Sequence, residues 1–310
     1  MAAKKDETMT AIAAPIKIML VYDVLGWACG QECIAIKKHL EHYFPGEFDC
    51  TLRGASSAHT PKMLSDFDIV LSTLNYHLPE SQHPRSVSVV ASSAYWIRKS
   101  QDWQGLKEWK YIWTVNKYFR DKLTPEDHPR IELLYHTFDW DHWTPGPRES
   151  AIRKFTVGFA GHRQSCKGIF LIQEAVQSLP DVCLKTVTWE DNRIPYEEMP
   201  DFYRGLDAYV CMSAVGEDAG PRPPIEAGLC GIPVITTVVG QIGEMVKDGV
   251  NGLVIERDVV SLQGAIKHLA EGDTDANGLG LAARESFLRE WVMPAGRAWG
   301  KYLKSIMEQG

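Results

Sequence analysis

The sequence predicts an α/β protein of two domains, each built around a parallel β-sheet. The chain has 310 residues, which is enough for two domains of roughly 100–200 residues each. Short apolar runs alternate with segments of helical periodicity, an alternation typical of parallel sheets covered by helices. The alternation begins near Ile16, stops in a proline-rich segment and begins again near Phe155. Two such domains are therefore expected.

The first domain opens with a strand, a glycine-containing turn and a helix. Ile16–Tyr22 is an almost uninterrupted apolar run, Gly26 and Gly30 follow it, and Ile34–Leu40 has the spacing of a helix. Such a run is expected of a strand that is buried on both faces of a parallel sheet. We therefore predict a Rossmann-like first sheet. Its further strands are Phe48–Leu52, Asp68–Ser72, Ser86–Ala91, Tyr111–Val115 and Ile131–Tyr135.

A domain boundary is predicted between Phe138 and Ser150. This segment contains Pro145, Gly146 and Pro147, three successive residues that interrupt regular structure. Connections between domains are commonly rich in such residues. We expect a first domain at residues 1–140, a linker at 141–153, a second domain at 154–290 and a C-terminal helix at 291–310.

The strand, loop and helix pattern starts again after this boundary, which predicts a second Rossmann-like domain. Phe155–Ala160 is expected to be a strand, Gly161–Gly168 a loop and Ile169–Leu179 a helix. A later helix over Pro223–Cys230 begins with paired prolines, which suit a first helical turn because its N–H groups have no partner there. The other elements predicted are the helix Tyr196–Arg204, the strands Val182–Val187, Ala208–Met212 and Val234–Thr236, and the loop Ser213–Arg222.

The C-terminal part is predicted to be helical from Leu262 onward, with an apolar stripe along one side. We expect interruptions at Gly272–Gly280 and at Pro294, because glycine and proline disfavour the interior of a helix.

Composition and charge are those of an ordinary globular protein. Hydrophobic residues make up 45% and charged residues 24%, which excludes disordered and collagen-like chains. The net charge of −7 does not indicate a polyanionic partner for the chain as a whole. No apolar run approaches the ~20 residues of a membrane-spanning helix, and Met1–Ala14 lacks the apolar core of a secretory signal. We therefore expect a cytoplasmic protein without a transmembrane segment.

The seven cysteines are expected to be reduced, since their odd number and irregular spacing give no disulfide framework. Cys29 and Cys33 have a spacing seen in metal sites, but no second pair of cysteines or histidines lies nearby. Small buried side chains on one helix face explain this pair better, and no metal site is predicted.

A nucleotide is the ligand that this architecture favours. Loops and helix N-termini at the carboxyl ends of parallel strands supply backbone donors for phosphate groups. The turn after Tyr22 lacks the G-x-G-x-x-G pattern, and the chain contains no G-x-x-x-x-G-K-[ST] segment. A dinucleotide site is therefore weakly supported, and a P-loop is excluded.

The second domain contains several motifs in a fixed order. A serine, an acidic pair spaced by eight residues and two glycine-containing turns lie between Ser213 and Gly252. The strand Val157–Gly161 is followed by Lys167 and Gly168. These motifs resemble the donor-binding part, the first strand and the phosphate loop of the retaining group 1 glycosyltransferases, which have the GT-B fold. Further similarity is found at His136–Pro145 and Ile194–Ala208. The residues in register are Ser213, Asp218, Gly220, Glu226, Ala227, Gly231, Pro233, Val234, Ile235, Gly240, Glu244, Gly249, Asn251 and Gly252.

The resemblance implies two Rossmann-like domains that face a central cleft and a nucleoside diphosphate sugar as donor. Glu226, in the first turn of its helix, would accept hydrogen bonds from the ribose diol. Asp218 would contact the sugar hydroxyls, although the family usually has glutamate there and the adjacent Glu217 can substitute. Lys167 would stabilise the charge on the leaving diphosphate, and Arg163 takes the family's arginine role only with a shift of one residue.

Glycines complete the predicted donor site. Gly161 belongs to the phosphate loop, Gly220 would let the backbone approach the donor, and Gly26 would open a path to the phosphates, although Trp27 stands where the family has a second glycine. Arg222 is a further candidate donor contact, with a surface or capping cation as the alternative. No metal is implied, because cationic side chains and helix N-termini can stabilise the phosphates.

The acceptor side is less well defined. Family members often carry a histidine after the strand that here ends in Val89–Ser93, where this chain has serines. His77 is the nearest alternative, and with retention the donor phosphate can itself take the acceptor proton. The C-terminal helix would return to the first domain, as in similar proteins.

Residues 95–123 combine cations with aromatic side chains. This combination suits a glycan, a lipid-linked acceptor at a membrane surface, or a hydroxylated nucleic-acid base. The plainer alternative is that half of these aromatic residues belong to the core. Two other functions stay open, a nucleotide-sugar epimerase and a nucleotide-sugar-binding subunit without activity.

Overall fold

The computed structural model describes residues 14–55, 59–74, 79–90, 108–115, 117–122, 131–147, 153–218 and 220–309. Two parallel sheets organise these residues, one in each half of the chain. The predicted α/β class, with two domains built around parallel sheets, is thereby confirmed.

The first sheet has six strands in the order β2-β1-β3-β4-β5-β6, and each strand is parallel to its neighbours. Strand β1 lies between β2 and β3, and Ile18 pairs with Cys50 on one side and Ile69 on the other. The apolar run of β1 is buried because helices cover both faces of the sheet. The strands are β1 Ile16–Tyr22, β2 Phe48–Gly54, β3 Ile69–Ser72, β4 Ser86–Val90, β5 Tyr111–Thr114 and β6 Ile131–Leu133, with helices α1 Ala28–Tyr43, α2 Pro61–Leu64 and α3 Lys117–Lys122 and a 3-10 turn at Pro79–Gln82.

The second sheet has five parallel strands in the order β8-β7-β9-β10-β11. Its strands are β7 Phe155–Gly161, β8 Val182–Thr188, β9 Ala208–Cys211, β10 Val234–Thr236 and β11 Leu253–Val254. The helices that follow β7 are α4 Ile169–Gln177, α5 Met199–Arg204, α6 Arg222–Leu229, α7 Gly240–Met245, α8 Val259–Ala270, α9 Ala276–Ser286 and α10 Met293–Glu308.

Both sheets reverse their strand order beside the first strand of the domain, between β1 and β3 and between β7 and β9. Ligands of open α/β sheets bind outside the carboxyl ends of the strands at such a reversal. A ligand site is therefore expected at the loops after β1 and β7.

The last helix, α10, packs against α1 and completes the core of the first domain. Trp299, Leu303 and Ile306 are fully buried among side chains of the first sheet. Glycine permits this close packing, because a Cβ atom at Gly300 would lie 2.0 Å from Cε2 of Phe44.

The C-terminal helices confirm one predicted interruption in part and correct the other. Helix α8 ends at Ala270 and α9 begins at Ala276, so a break falls at Gly272 as predicted. Helix α9 then runs through Gly280, where a Cβ atom would lie 2.1 Å from the carbonyl oxygen of Gly231. Glycine is required there by packing and does not end the helix. Pro294 lies in the first turn of α10, directly after a π-helical stretch at Phe287–Val292 that joins α9 to α10 without a break. The wider turn accommodates a ring that would clash inside an α-helix.

The predicted helix over Tyr196–Arg204 begins instead as a 3-10 turn, Tyr196–Glu198, before α5. Among the helices that the structure describes, none combines the length and the apolar character needed to cross a membrane.

Candidate functional site

A cavity of about 400 Å³ lies between the two domains. The first domain contributes the loop after β1 and the start of α1, with Asp23 and Trp27 among its lining residues. The second domain contributes the end of β7 and the loop before α6, with Lys167, Asp218 and Gly220. We call this space the central cavity. Its walls are the strand ends that the sheet topology singles out.

A second, smaller cavity of about 140 Å³ adjoins it. Trp27, Gly161 and Arg222 line both spaces, whereas Trp189 and Glu226 line only the smaller one among the described residues. We call this smaller space the side pocket. The two spaces together can accommodate an elongated ligand with chemically distinct ends.

Lys167 and Asp218 form an ion pair on the wall of the central cavity. The Lys167 Nζ and Asp218 Oδ2 atoms are 2.5 Å apart. Burial opposes the charge of the lysine, but Asp218 outweighs this effect and raises the pKa of Lys167 above its usual value. Lys167 ends a short 3-10 turn that is followed by Gly168. Glycine is needed at this position because its φ is 74° and because a Cβ atom would lie 2.4 Å from the carbonyl oxygen of Met212. The site therefore carries a permanent ammonium group.

Glu226 lies on α6 and is buried against the side pocket. Tyr203 donates a hydrogen bond from its hydroxyl to Glu226 Oε2 at 2.8 Å, and Arg222 Nε is 3.6 Å from Oε1. Burial raises the pKa of the Glu226 carboxyl in spite of these two neighbours. A carboxylate at this position is an acceptor for hydroxyl groups of a ligand in the side pocket.

A buried polar cluster, which we call the interdomain cluster, joins the two domains. Glu32 of α1 accepts hydrogen bonds from the Thr137 backbone at 3.0 Å and the Thr137 hydroxyl at 2.9 Å. It is also bonded to His136 Nδ1 at 2.8 Å and to the Arg222 guanidinium of the second domain. Burial opposes the charge on Glu32, but His136 and Arg222 hold the pKa of its carboxyl below the usual value.

Sequence reasoning did not single out Glu32 or His136 as functional residues. A signal was present at Glu32, because this acid stands beside Cys33, Ala35 and Ile36 on a helix whose other buried positions are mainly apolar or small. Buried carboxylates are rarely found without a partner. The identity of that partner is a matter of tertiary structure.

The other predicted site residues are distributed over these spaces. Gly161 lines both spaces, Gly26 the side pocket and Gly220 the central cavity. Arg163 is paired with Asp191 at 2.6 Å and is not among the described residues that line either space. His77 lies outside the described residues.

Arg222, predicted as a donor contact, is bound within the protein. Its guanidinium pairs with Glu32 and stacks 4.2 Å from the centre of the Phe138 ring. Only 5% of its surface is exposed. Its partners are therefore residues of the first domain and Glu226 of α6.

Trp27 crosses the cleft and contacts the second domain. Its ring packs edge-on against Trp189, with 3.8 Å between the ring centres. The Arg193 guanidinium lies 3.9 Å from the centre of the Trp189 ring on the side pocket. The position at which the family pattern has glycine thus holds an aromatic contact between domains.

Glu244 and Gln241 of α7 also hold the domains together. Glu244 accepts hydrogen bonds from the Tyr135 hydroxyl at 2.7 Å and from the Lys117 backbone at 3.1 Å. Gln241 accepts one from the His136 backbone at 3.1 Å. One acidic residue of the recognised pattern is therefore engaged with the first domain.

The basic and aromatic segment 95–123 is described only in part. Trp109, Tyr111 and Trp113 are buried in the core of the first domain. The interpretation of these three as core residues therefore holds, and they are not available as a nucleic-acid surface. Among all the residues that the structure describes, no three or more histidine, cysteine or acidic side chains are placed to hold a metal ion.

The family model for "Glycosyl transferases group 1" matches residues 191–286. This range contains α6 with Glu226, the loop before it and the two glycine-containing turns that follow. The match confirms the resemblance that the sequence motifs indicated.

Curated relatives belong to one enzyme type. A D-inositol 3-phosphate glycosyltransferase of Mycobacterium sp. (strain KMS) is 27% identical, over 42% of this chain and 37% of that protein. The protein of the same description from Mycolicibacterium smegmatis is 26% identical over the same shares. The chain thus spans little more than a third of the length of the curated relatives it matches.

Solved structures show the same architecture over nearly the whole chain. Anabaena HepE in complex with UDP and glucose has a TM-score of 0.69 at 14% identity and covers 94% of this chain and 100% of that one. Sucrose-phosphate synthase of Thermosynechococcus elongatus has a TM-score of 0.73 at 14% identity and covers 95% and 100%. The predicted GT-B fold is therefore confirmed.

Proposed function

We propose that this chain, which carries a group 1 glycosyltransferase domain at residues 191–286, transfers a sugar from a nucleoside diphosphate sugar to an acceptor hydroxyl. The observation that carries the proposal is the pair of adjoining spaces, one with Lys167 and Asp218 and the other with Glu226. A donor of this class has a nucleoside at one end and a sugar at the other, joined by a diphosphate.

The nucleoside is assigned to the side pocket. Glu226 accepts hydrogen bonds from the ribose hydroxyls, taking up the capacity that Tyr203 leaves free. Trp189 offers an aromatic surface close to the base. Since HepE, which shares the fold, was solved in complex with UDP, a uridine nucleotide is the first donor to test.

The diphosphate is assigned to the junction of the two spaces, between Gly161 and Lys167. As the glycosidic bond breaks, negative charge grows on the departing phosphate, and a fixed ammonium group stabilises that charge. Asp218 takes hydrogen bonds from the sugar hydroxyls, so the ion pair seen in the free protein opens toward the ligand. The N-terminus of α6 adds a favourable dipole.

The same proposal includes retention of configuration, catalysis without a metal ion, and binding of the acceptor and the donor by different domains. Residues 1–140 would hold the acceptor and residues 154–290 the donor. A small polyol phosphate is the acceptor class that the curated relatives' description suggests. The chain covers only 37% of that relative, so the acceptor is tested separately from the donor.

A thermal-shift panel of UDP, GDP, ADP, dTDP and their sugars tests the donor site. A ligand at 100 times its dissociation constant adds about 2.7 kcal/mol to the free energy of unfolding. We expect one nucleotide to stabilise the wild type and to lose this effect in Glu226→Ala. The matched control is Glu271→Ala, which removes an exposed glutamate at the end of α8 and should respond as the wild type does. A wild type that no nucleotide stabilises contradicts the proposal and favours a scaffold role.

A further inference from the structure

We propose that His136 accepts the proton of the acceptor hydroxyl, with Glu32 as the residue that holds the imidazole in position. This inference rests on the proposed function and names a catalytic residue on the acceptor side of the same site.

His136 lies next to the loop before α6, which carries Asp218 and Gly220. It follows β6 near the end of the first domain, and it lines the central cavity. A Cβ atom at Gly220 would lie 3.1 Å from His136 Nε2. The imidazole therefore faces the same loop that carries Asp218, where the sugar of the donor is assigned.

The hydrogen bonds of the ring leave one nitrogen available. Nδ1 is 2.8 Å from Glu32 Oε2, and the carboxylate can only accept, so Nδ1 carries the proton. Within the described part of the chain, no residue forms a hydrogen bond with Nε2. In this tautomer Nε2 has a free electron pair, and this nitrogen lies beside Gly220, which also lines the central cavity.

Glu32 is well suited to hold this tautomer. Its two oxygen atoms are bound by Thr137, His136 and Arg222, which fixes the carboxylate in one orientation. The Arg222 guanidinium compensates its charge. The imidazole is thus oriented by a buried carboxylate, as are the histidine bases of many hydrolases.

The charged group in direct contact with the His136 ring is Glu32, and Arg222 reaches the ring through Glu32. The other titratable groups that line the central cavity are Asp23, Cys29, His162, Lys167, Tyr209, Cys211 and Asp218. Lys167 is already protonated and Asp218 is assigned to the sugar hydroxyls, so neither group competes for the acceptor proton.

The step balances in atoms and electrons. The acceptor oxygen forms a bond to the anomeric carbon while its proton moves to His136 Nε2. The bond between the anomeric carbon and the phosphate oxygen breaks, and its electron pair leaves with the nucleoside diphosphate. The imidazolium then releases the proton to solvent. If the departing phosphate takes the proton instead, the rate of sugar transfer does not depend on His136.

The test compares wild type, His136→Ala and His136→Gln, with His268→Ala as the control for loss of an exposed histidine. Release of UDP from UDP-glucose is measured with D-inositol 3-phosphate and with water as acceptor, and UDP affinity is measured by calorimetry. We expect the rate to fall by about 100-fold in His136→Ala, the usual scale for loss of a general base. UDP affinity should stay as in the wild type, and added imidazole should restore part of the rate.

Three outcomes would overturn the inference. His136→Ala with an unchanged rate excludes a proton acceptor at this position. Equal losses of rate and UDP affinity in both variants, without rescue by imidazole, assign His136 a structural role. A wild type that neither binds UDP nor releases it from UDP-glucose contradicts the proposed function itself and removes the basis of this step. His136→Gln serves as the variant that keeps a polar partner for Glu32 should the alanine variant not fold.

Discussion

Lys167 is the residue on which the chemistry of donor activation depends most. Its ammonium group is held within 2.5 Å of Asp218 and its pKa is raised, so it stays charged across the working range of pH. We expect Lys167→Met to lower kcat/KM by about 100- to 1,000-fold, the usual scale for one donor of transition-state stabilisation. Initial rates of UDP release measure this effect. Lys267→Met, an exposed substitution on α8, should leave the rate unchanged.

Glu226 gives the donor site a dependence on pH. Because burial raises the pKa of this carboxyl above its ordinary 4.5, the neutral form persists to higher pH than in a free glutamate. The ribose diol is best bound by the ionised form, so nucleotide affinity should rise as the pH increases through this raised pKa. Calorimetric titration of UDP at several pH values checks the trend, and Glu226→Gln should abolish it. An affinity that falls over this range would contradict the assigned role.

Residue spacing alone could not decide which side chain after β7 faces the ligand. Successive residues of an extended chain point to opposite sides, and the structure directs His162 to the cavity and Arg163 to Asp191. Arg163 matches the family's arginine only if the two sequences are shifted by one residue at this point. A shift of one residue exchanges the side chain that faces the cavity with the side chain that faces away from it.

At the scale of elements, α10 is joined to the first domain through glycines. A Cβ atom at Gly300 would lie 2.0 Å from the Phe44 ring, so Gly300→Ala requires that ring or α10 to shift. Overpacking of this kind costs about 1–3 kcal/mol in the free energy of unfolding.

Gly264→Ala is the matched control, because no atom lies within 4 Å of a Cβ at this position of α8. Alanine is favoured over glycine in a helix by about 1 kcal/mol, so this variant should be as stable as the wild type or more so. Urea unfolding of the two variants makes the comparison. Equal stability of Gly300→Ala and Gly264→Ala would show that α10 does not pack closely against α1.

The elements that the sequence predicted well are those set by local pattern. Strands β1 and β7 are apolar runs, and α6 begins at paired prolines, so each could be located within a residue or two. The prediction of a break at Pro294 was wrong because a π-helical turn directly before α10 makes room for the proline ring. Two residues of that turn, Phe287 and Val292, are buried in the core of the second domain.

At the scale of the molecule, the interdomain cluster could not be predicted from the sequence. Glu32 is separated by 104 residues from His136 and by 190 from Arg222. No local periodicity relates residues so distant. Their meeting depends on how two independently predictable sheets are placed against each other.

The cluster should contribute strongly to stability. Glu32→Ala leaves the Arg222 guanidinium buried without its main partner, and breaking a buried ion pair costs about 3–5 kcal/mol. The Glu32→Ala, Arg222→Ala double variant should lose less than the sum of the single losses. Chemical denaturation of the three variants provides the numbers.

Lys117→Ala is the control for a weak interdomain ion pair. The Lys117 side chain is 58% exposed in its pair with Glu244, and such pairs contribute about 0–1 kcal/mol. Should Glu32→Ala and Lys117→Ala lose the same small amount, the interdomain cluster does not join the domains as described.

Hydrogen exchange with and without UDP tests whether a nucleotide lies between the two domains. We expect slower exchange in the presence of UDP at the start of α6, at residues 161–168 and in the turn that contains Gly26. Protection confined to one domain, or found only away from these three segments, would contradict a donor site built from both domains.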